Sequence, residues 1–154
     1  KEPILIYKKK EENKFLGGTG YISNLISSFV KSVELVTLLG EKKEELRFIK
    51  NNLDKKIKLH YQVKKNSPTI VKTRYLDSYR NNKIMGIYKM NDEMISKIEE
   101  KKYIIKIKRL LKNSDLIIVA DYGHGMITPK VAKLREMHSE LLKPEPHSDH
   151  INEF

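Results

Sequence analysis

Three short segments of this 154-residue chain hold the residue types best suited to chemistry. The first is Gly17-Gly18-Thr19-Gly20, directly before a run with helical apolar spacing. Glycine permits positive φ and the close approach of a ligand. The unbonded N–H groups of a helix start attract anions and hydroxyls, and Thr19 adds a hydroxyl. The spacing matches neither the dinucleotide fingerprint nor the P-loop, and the rival role for these residues is an ordinary tight turn into a helix. The second segment, Asp121-Tyr122-Gly123-His124-Gly125, follows an apolar run. Ligands of open parallel sheets bind beyond the carboxyl ends of strands, so Asp121 is a candidate binding carboxylate; its rival role is to satisfy backbone N–H groups of the turn. His124, between two glycines, is expected to face solvent or ligand, but with no Ser or Cys nucleophile nearby it does not make a triad. The third segment, Pro68 to Arg74, puts Lys72 and Arg74 on one face of an extended chain because strand side chains alternate. A lysine and an arginine side by side suit a phosphate or carboxylate; the rival is an edge strand charged against aggregation.

The elements that must carry these residues alternate in type. Pro3 to Tyr7 reads as a short strand. From Gly20, Ile22, Leu25, Ile26 and Phe29 fall on one helical face. Val33 to Leu39 is apolar enough for a strand buried on both sides, and Glu41 to Asn52 reads as a helix with Leu46, Ile49 and Leu53 inward. Ile57 to Val63 alternates as a strand. Thr69 to Asp77 and Lys83 to Tyr88 form an expected hairpin around Ser78-Tyr79-Arg80-Asn81-Asn82. Asn91-Asp92 is expected to cap a helix reaching about Lys112, with Ile95, Ile98 and Ile105 at helical intervals. Asp115 to Ala120 is the strongest parallel-strand signal, and Thr128-Pro129 opens a helix to about Leu142. Lys143 to Phe154 reads as a disordered tail. Strands alternating with helices indicate a mostly parallel α/β sheet.

Composition excludes some classes. There is no cysteine, hence no disulfide framework or zinc-thiolate site. No run of 18 apolar residues suggests a membrane helix, and the N-terminus lacks signal-peptide zones; a cytoplasmic location is the default expectation. The net charge of +11 raises the question of nucleic acid. Lysines scattered among glutamates at 41–45 and 99–102 favour a solvated mixed-sign surface instead. His138, His147 and His150 lie in or near the tail; His147 and His150 with Asp149 offer adventitious metal donors, and no metal site is assigned. The chain opens on Lys1 in what reads as a strand, so sequence upstream is expected.

Four pieces in order carry a family resemblance: the Gly17-Gly18 turn with its helix, Leu38-Leu39-Gly40-Glu41, Pro68-Thr69…Lys72-Thr73-Arg74, and Asp121-Tyr122-Gly123-x-Gly125. Together, over about residues 14 to 135, they make the chain resemble the ribokinase-like (PfkB) carbohydrate kinases, above all the kinase domain acting on heptose 7-phosphate. The resemblance implies a ribokinase-like three-layer α/β fold with a β-hairpin, here cut short, with residues 1–142 a partial kinase domain. It implies that Gly17 and Gly18 line a sugar pocket, that Lys72 and Arg74 lie near the substrate or its phosphate, and that Asp121, Gly123 and His124 face the cleft. Tyr21 stands where the family usually has an asparagine that contacts the sugar, and His124 where these heptose kinases commonly have lysine. ATP and Mg2+ are the cofactors implied for the parent, with neither held securely by this chain. A sugar or sugar phosphate is the implied partner, and a homodimer is a further expectation for the parent. The family's Gly-Ala-Gly-Asp motif, which supplies the anion hole and base, is not among the 154 residues, so no catalytic residue is assigned and the chain alone is expected to be inactive. The rival readings are a non-catalytic sugar-phosphate binding module and a basic nucleic-acid-binding protein.

Overall fold

The computed structural model describes residues 6–134. The chain divides into two compact units, Lys1–Asn91 and Asp92–Phe154. The expected strand at Pro3 to Tyr7, the end of the helix reaching about Leu142, the tail from Lys143 and the histidines 138, 147 and 150 lie mainly or wholly outside the described residues.

The first unit is built on two parallel strands, β1 (Val33–Gly40) and β2 (Ile57–Lys64), paired in register from Val33↔Ile57 to Gly40↔Lys64. Parallel neighbours need a crossover of a dozen or more residues, and residues 41–56 supply it, including the helix α2 (Leu46–Asn52). The expected helix from Glu41 therefore begins five residues late. Lys43 takes a positive φ of 52°, and Leu46 N–H donates to the Lys43 carbonyl, so 41–45 are turns. Leu35 and Leu39 are the buried apolar residues of β1. β1 and β2 carry the α/β character expected of the chain.

Helix α1 (Gly18–Ser27) packs on β1 and β2, but not with the expected stripe. Ser23 and Ser27 are buried, Ile22 and Ile26 half-buried, and Leu25 and Phe29 exposed. The two serines can be buried because their hydroxyls donate to helix carbonyls, Ser23 to Thr19 and Ser27 to Asn24, each at 2.7 Å. The rotation of the helix is set by Asn24, which donates to the Asn52 carbonyl and accepts from the Asp54 amide, and by Lys56, whose Nζ reaches the Ser27 carbonyl at 2.9 Å.

The hairpin forms as expected, β3 (Val71–Leu76) antiparallel to β4 (Lys83–Lys89), with an irregularity at Tyr75/Leu76. Asp77 organises its turn, its carboxylate accepting from the amides of Tyr79, Arg80 and Asn82. The Arg80 amide, first among these, holds the Asp77 carboxyl below its ordinary value. Almost every hairpin side chain is exposed.

In the second unit, helix α3 (Lys97–Leu111) begins at Ser96 rather than at Asn91-Asp92. Ser96 and Glu99 make a reciprocal capping box, Glu99 N–H donating to the serine hydroxyl and Ser96 N–H to the Glu99 carboxylate. That satisfies two helix-start donors where Asn91 or Asp92 would satisfy one. Ile95 is buried as expected, but Ile98 and Ile105 are each 70% exposed, and the buried face is Glu99, Glu100 and Tyr103. Burial pushes the Tyr103 phenol up. Residues 115–120 form no strand among the described residues. Leu116, Ile118 and Val119 stay exposed, since an apolar run becomes a strand only where a neighbour takes up its N–H and C=O groups. The helix at Thr128 starts as expected: residues 129–134 are helical, and the Thr128 hydroxyl accepts from the Val131 amide at 3.3 Å.

Candidate functional site

The glycine turn takes its shape from Gly18, whose φ of 50° is left-handed, and from a Gly20 N–H to Gly17 C=O bond of 3.1 Å. Gly17 occupies the N-cap with no side-chain cap, and a β-carbon on it would meet nothing within 4 Å. The open side of the turn is therefore backbone and space, the setting in which a ligand hydroxyl or anion approaches a helix start. Tyr21, one turn into α1, is exposed.

α1 precedes β1 through a short connection and packs on the sheet, so its N-terminus lies at the carboxyl end of β1. The loop at that end, residues 41–45, joins the pieces. Lys14, just before the glycine turn, pairs with Glu45 at 2.5 Å and lies over the Phe48 ring at 4.8 Å. Glu44 pairs with Lys89 of β4 at 2.7 Å, which with a backbone bond holds the Glu44 carboxyl below its ordinary value. Glu41 accepts from the Asn66 amide and donates its own amide to the Ser67 carbonyl. One glutamate-bearing loop thus pairs with Lys14, three residues before the glycine turn, on one side and with the hairpin on the other.

The neck of the hairpin is closed by groups sequence reasoning did not single out. Lys64 is buried, and its Nζ donates to the Asn91 carbonyl at 2.7 Å; the Asn91 amide in turn donates to the Ser67 hydroxyl at 3.1 Å. Within the hairpin, Lys72 and Arg74 share a face, opposite Tyr88 and Gly86. Lys72 lies 5.8 Å from the Tyr88 ring centre. Because Gly86 has no side chain, Arg74 borders a shallow depression of about 310 Å³ lined also by Lys83, Ile84 and Tyr88. Lys72 and Arg74 thus share a face as expected, and Lys83 borders the depression with Arg74.

The Asp121 turn belongs to the second unit. Asp121 accepts from the Gly123 amide at 2.9 Å, so one carboxylate oxygen serves the turn itself. Gly123 and Gly125 both have left-handed φ, 72° and 76°. Gly125 is also pressed on residues 93–94: a β-carbon there would lie 1.9 Å from the Glu93 carbonyl oxygen, and its own carbonyl accepts from the Ile95 amide at 2.9 Å. His124, with a side chain 20% exposed, holds Asp92 through Nδ1 at 2.7 Å. Asp92, expected as a helix cap, is instead this histidine's partner. No local signal marks a pairing between residues 32 apart in sequence.

Among the described residues no group of three or more His, Asp or Glu is arranged to hold a metal, and no helix is long and apolar enough to cross a membrane.

The described residues define an α/β protein with a glycine turn and a basic hairpin at the carboxyl end of a parallel strand pair. No protein-family model matches the chain. The chain is a relative of the bifunctional proteins HldE. That of Nitratiruptor sp. is 25% identical over 131 residues, 85% of this chain and 28% of its own length. Those of Aliarcobacter butzleri and Campylobacter jejuni subsp. jejuni serotype O:2 are 27% and 28% identical, again over 85% of this chain. These relatives bear out the likeness carried by the four motif segments. The chain spans little more than a quarter of the length of the proteins it matches.

Proposed function

We propose that the chain forms the sugar-binding side of an ATP-dependent carbohydrate kinase of the ribokinase type, with residues 1–142 as part of that domain and heptose 7-phosphate as its substrate class. The observation that carries this reading is the loop 41–45, which ties the segment leading into the open Gly17 turn through Glu45–Lys14 and the Lys72/Arg74 hairpin through Glu44–Lys89. A hydroxyl-bearing ring at the glycine turn and a phosphate at the two cations is the ligand such a pair of surfaces suits. Relatives named as bifunctional HldE proteins support it.

In this reading Gly17, Gly18 and Tyr21 border the sugar and Lys72 and Arg74 neutralise its phosphate; Asp121, Gly123 and His124, in the second unit, keep the substrate-binding role that the resemblance implies. ATP with Mg2+ would supply the phosphoryl group, whose transfer depends on positioning and charge neutralisation. The chain's own residues bind and orient; none is assigned the base that deprotonates the accepting hydroxyl. Titration calorimetry of the chain with heptose 7-phosphate tests the proposal. Saturable binding that weakens in Arg74→Ala is the expected result, and no heat at millimolar ligand would sink it.

A further inference from the structure

The hairpin does not keep strict alternation along β4. Arg74 is opposite Gly86 and Tyr75 opposite Met85, but the next residue of β3, Leu76, is opposite Lys83 and not Ile84. Lys83 and Ile84 thus meet one position of β3, which is the geometry of a bulge. Residues directly opposite in an antiparallel pair project from the same face, and Leu76 shares the face of Arg74, two residues before it. Lys83 is therefore turned onto the face of Arg74, where strict alternation from Gly86 would have left it on the other side. Gly86 leaves room there. A β-carbon on it would lie 3.1 Å from the Tyr88 ring, so that ring lies back over the glycine. The result is the depression of about 310 Å³ that Arg74, Lys83 and Tyr88 border together.

From this register we infer that Lys83 is a further phosphate-contact residue: the bulge turns its ammonium to the rim it shares with Arg74, and the two cations receive one phosphate monoester in the depression. This role rests on the kinase reading above, with the phosphate of heptose 7-phosphate as the ligand. A phosphate monoester carries close to two negative charges at neutral pH and three acceptor oxygens. A guanidinium engages two of those oxygens through its fixed fork and offsets one charge. An ammonium, with three rotatable donors on a flexible stem, suits the oxygen and the charge that are left. Two cations set on one face of a strand pair repel each other, and an anion between them turns that repulsion into attraction. A bulge is the backbone device that re-aims one side chain in this way without changing the rest of the ladder.

The test titrates the full chain with inorganic phosphate, followed by its 31P resonance, and with heptose 7-phosphate by calorimetry. Lys83→Met keeps the stem and removes the charge; it should weaken both ligands about fivefold, the range of one net hydrogen bond. Lys83→Arg keeps the charge and should bind within about twofold of the wild type. Lys83→Glu sets a carboxylate on the Arg74 face and should lose more than Lys83→Met. Gly86→Val fills the depression, leaves both cations in place and should also weaken phosphate binding. Lys83 is exposed, so its variants should melt with the wild type, and the loss in Lys83→Met should shrink as KCl is raised. Unchanged affinity in Lys83→Met, or equal losses in Lys83→Met and Lys83→Arg, would overturn the inference and leave Lys83 a solvated cation. Binding of heptose 7-phosphate that ignores Lys83 supports the kinase reading and sinks this site. Lys83-dependent binding of inorganic phosphate without binding of heptose 7-phosphate does the reverse. A wild type that binds neither ligand fails both.

Discussion

Gly40 lies so close to Thr69 that a β-carbon on the glycine would sit 2.1 Å from the threonine amide nitrogen. The two residues also share a hydrogen bond, the Gly40 amide donating to the Thr69 hydroxyl at 3.0 Å in a buried setting. They belong to two of the segments that carry the family resemblance, Leu38-Leu39-Gly40-Glu41 and Pro68-Thr69. One end of the parallel strand and the start of the basic hairpin are therefore clamped backbone to backbone.

Gly40→Ala should be strongly destabilising. The added methyl group meets the backbone of Pro68 and Thr69, which cannot rotate away as a side chain can. Overpacking of this kind costs about 2 kcal/mol. Urea unfolding should show a lower midpoint, and wild-type stability in the variant would refute the clamp.

The two glycines of the first turn should behave differently. Gly18→Ala strains a left-handed residue and should cost about 1 kcal/mol. Gly17→Ala enters open space and should cost only the loss of a glycine N-cap, about 0.5 kcal/mol, less than Gly18→Ala. If Gly17 lines the sugar pocket, the same variant should bind heptose 7-phosphate at least several-fold more weakly. Unaltered affinity in Gly17→Ala would remove this residue from the site.

Arg74→Ala and Lys72→Ala should each weaken sugar-phosphate binding about tenfold, the scale of a hydrogen bond to a charged group. Both side chains lie on the exposed hairpin, so circular dichroism melts should move little. Removing the phosphate from the ligand should erase the difference between variants and wild type. A variant that discriminates equally against the unphosphorylated sugar would argue against a phosphate role.

Acid should loosen the second unit through Glu100. A hydrogen bond from Thr128, and secondarily the nearby Lys130 at 3.4 Å, hold its carboxyl below the ordinary value. A carboxyl lowered in the folded state contributes stability above its unfolded pKa and loses it as pH falls through the folded one. Stability should therefore decline as pH drops below about 4.5, and Glu100→Gln should flatten part of that decline. Thr128→Val should do the same and also lose the helix cap to Val131 at every pH. Parallel pH profiles for wild type and Glu100→Gln would contradict this account.

What the sequence by itself determined here is local. Thr128-Pro129 started its helix, Ser78 to Asn82 made the hairpin turn, and the apolar run from Val33 became a strand, because caps, turns and strand runs depend on neighbours a few residues away. Glycine at 18, 123 and 125 was legible as a backbone demand, and each has the left-handed φ that demand implies. Tertiary structure decided the rest. Which face of α1 is buried depends on Asn24 reaching the end of α2, not on its apolar stripe. Residues 115–120 have the composition of a strand, yet composition supplies no neighbour to take up its hydrogen bonds. Asp92 could have capped a helix; it pairs with His124 because the chain returns to it 32 residues later, with Ser96 and Glu99 capping that helix instead. The candidate ligand residues were visible by type and spacing, whereas the contacts that hold them join parts of the chain distant in sequence, and only folding brings those together.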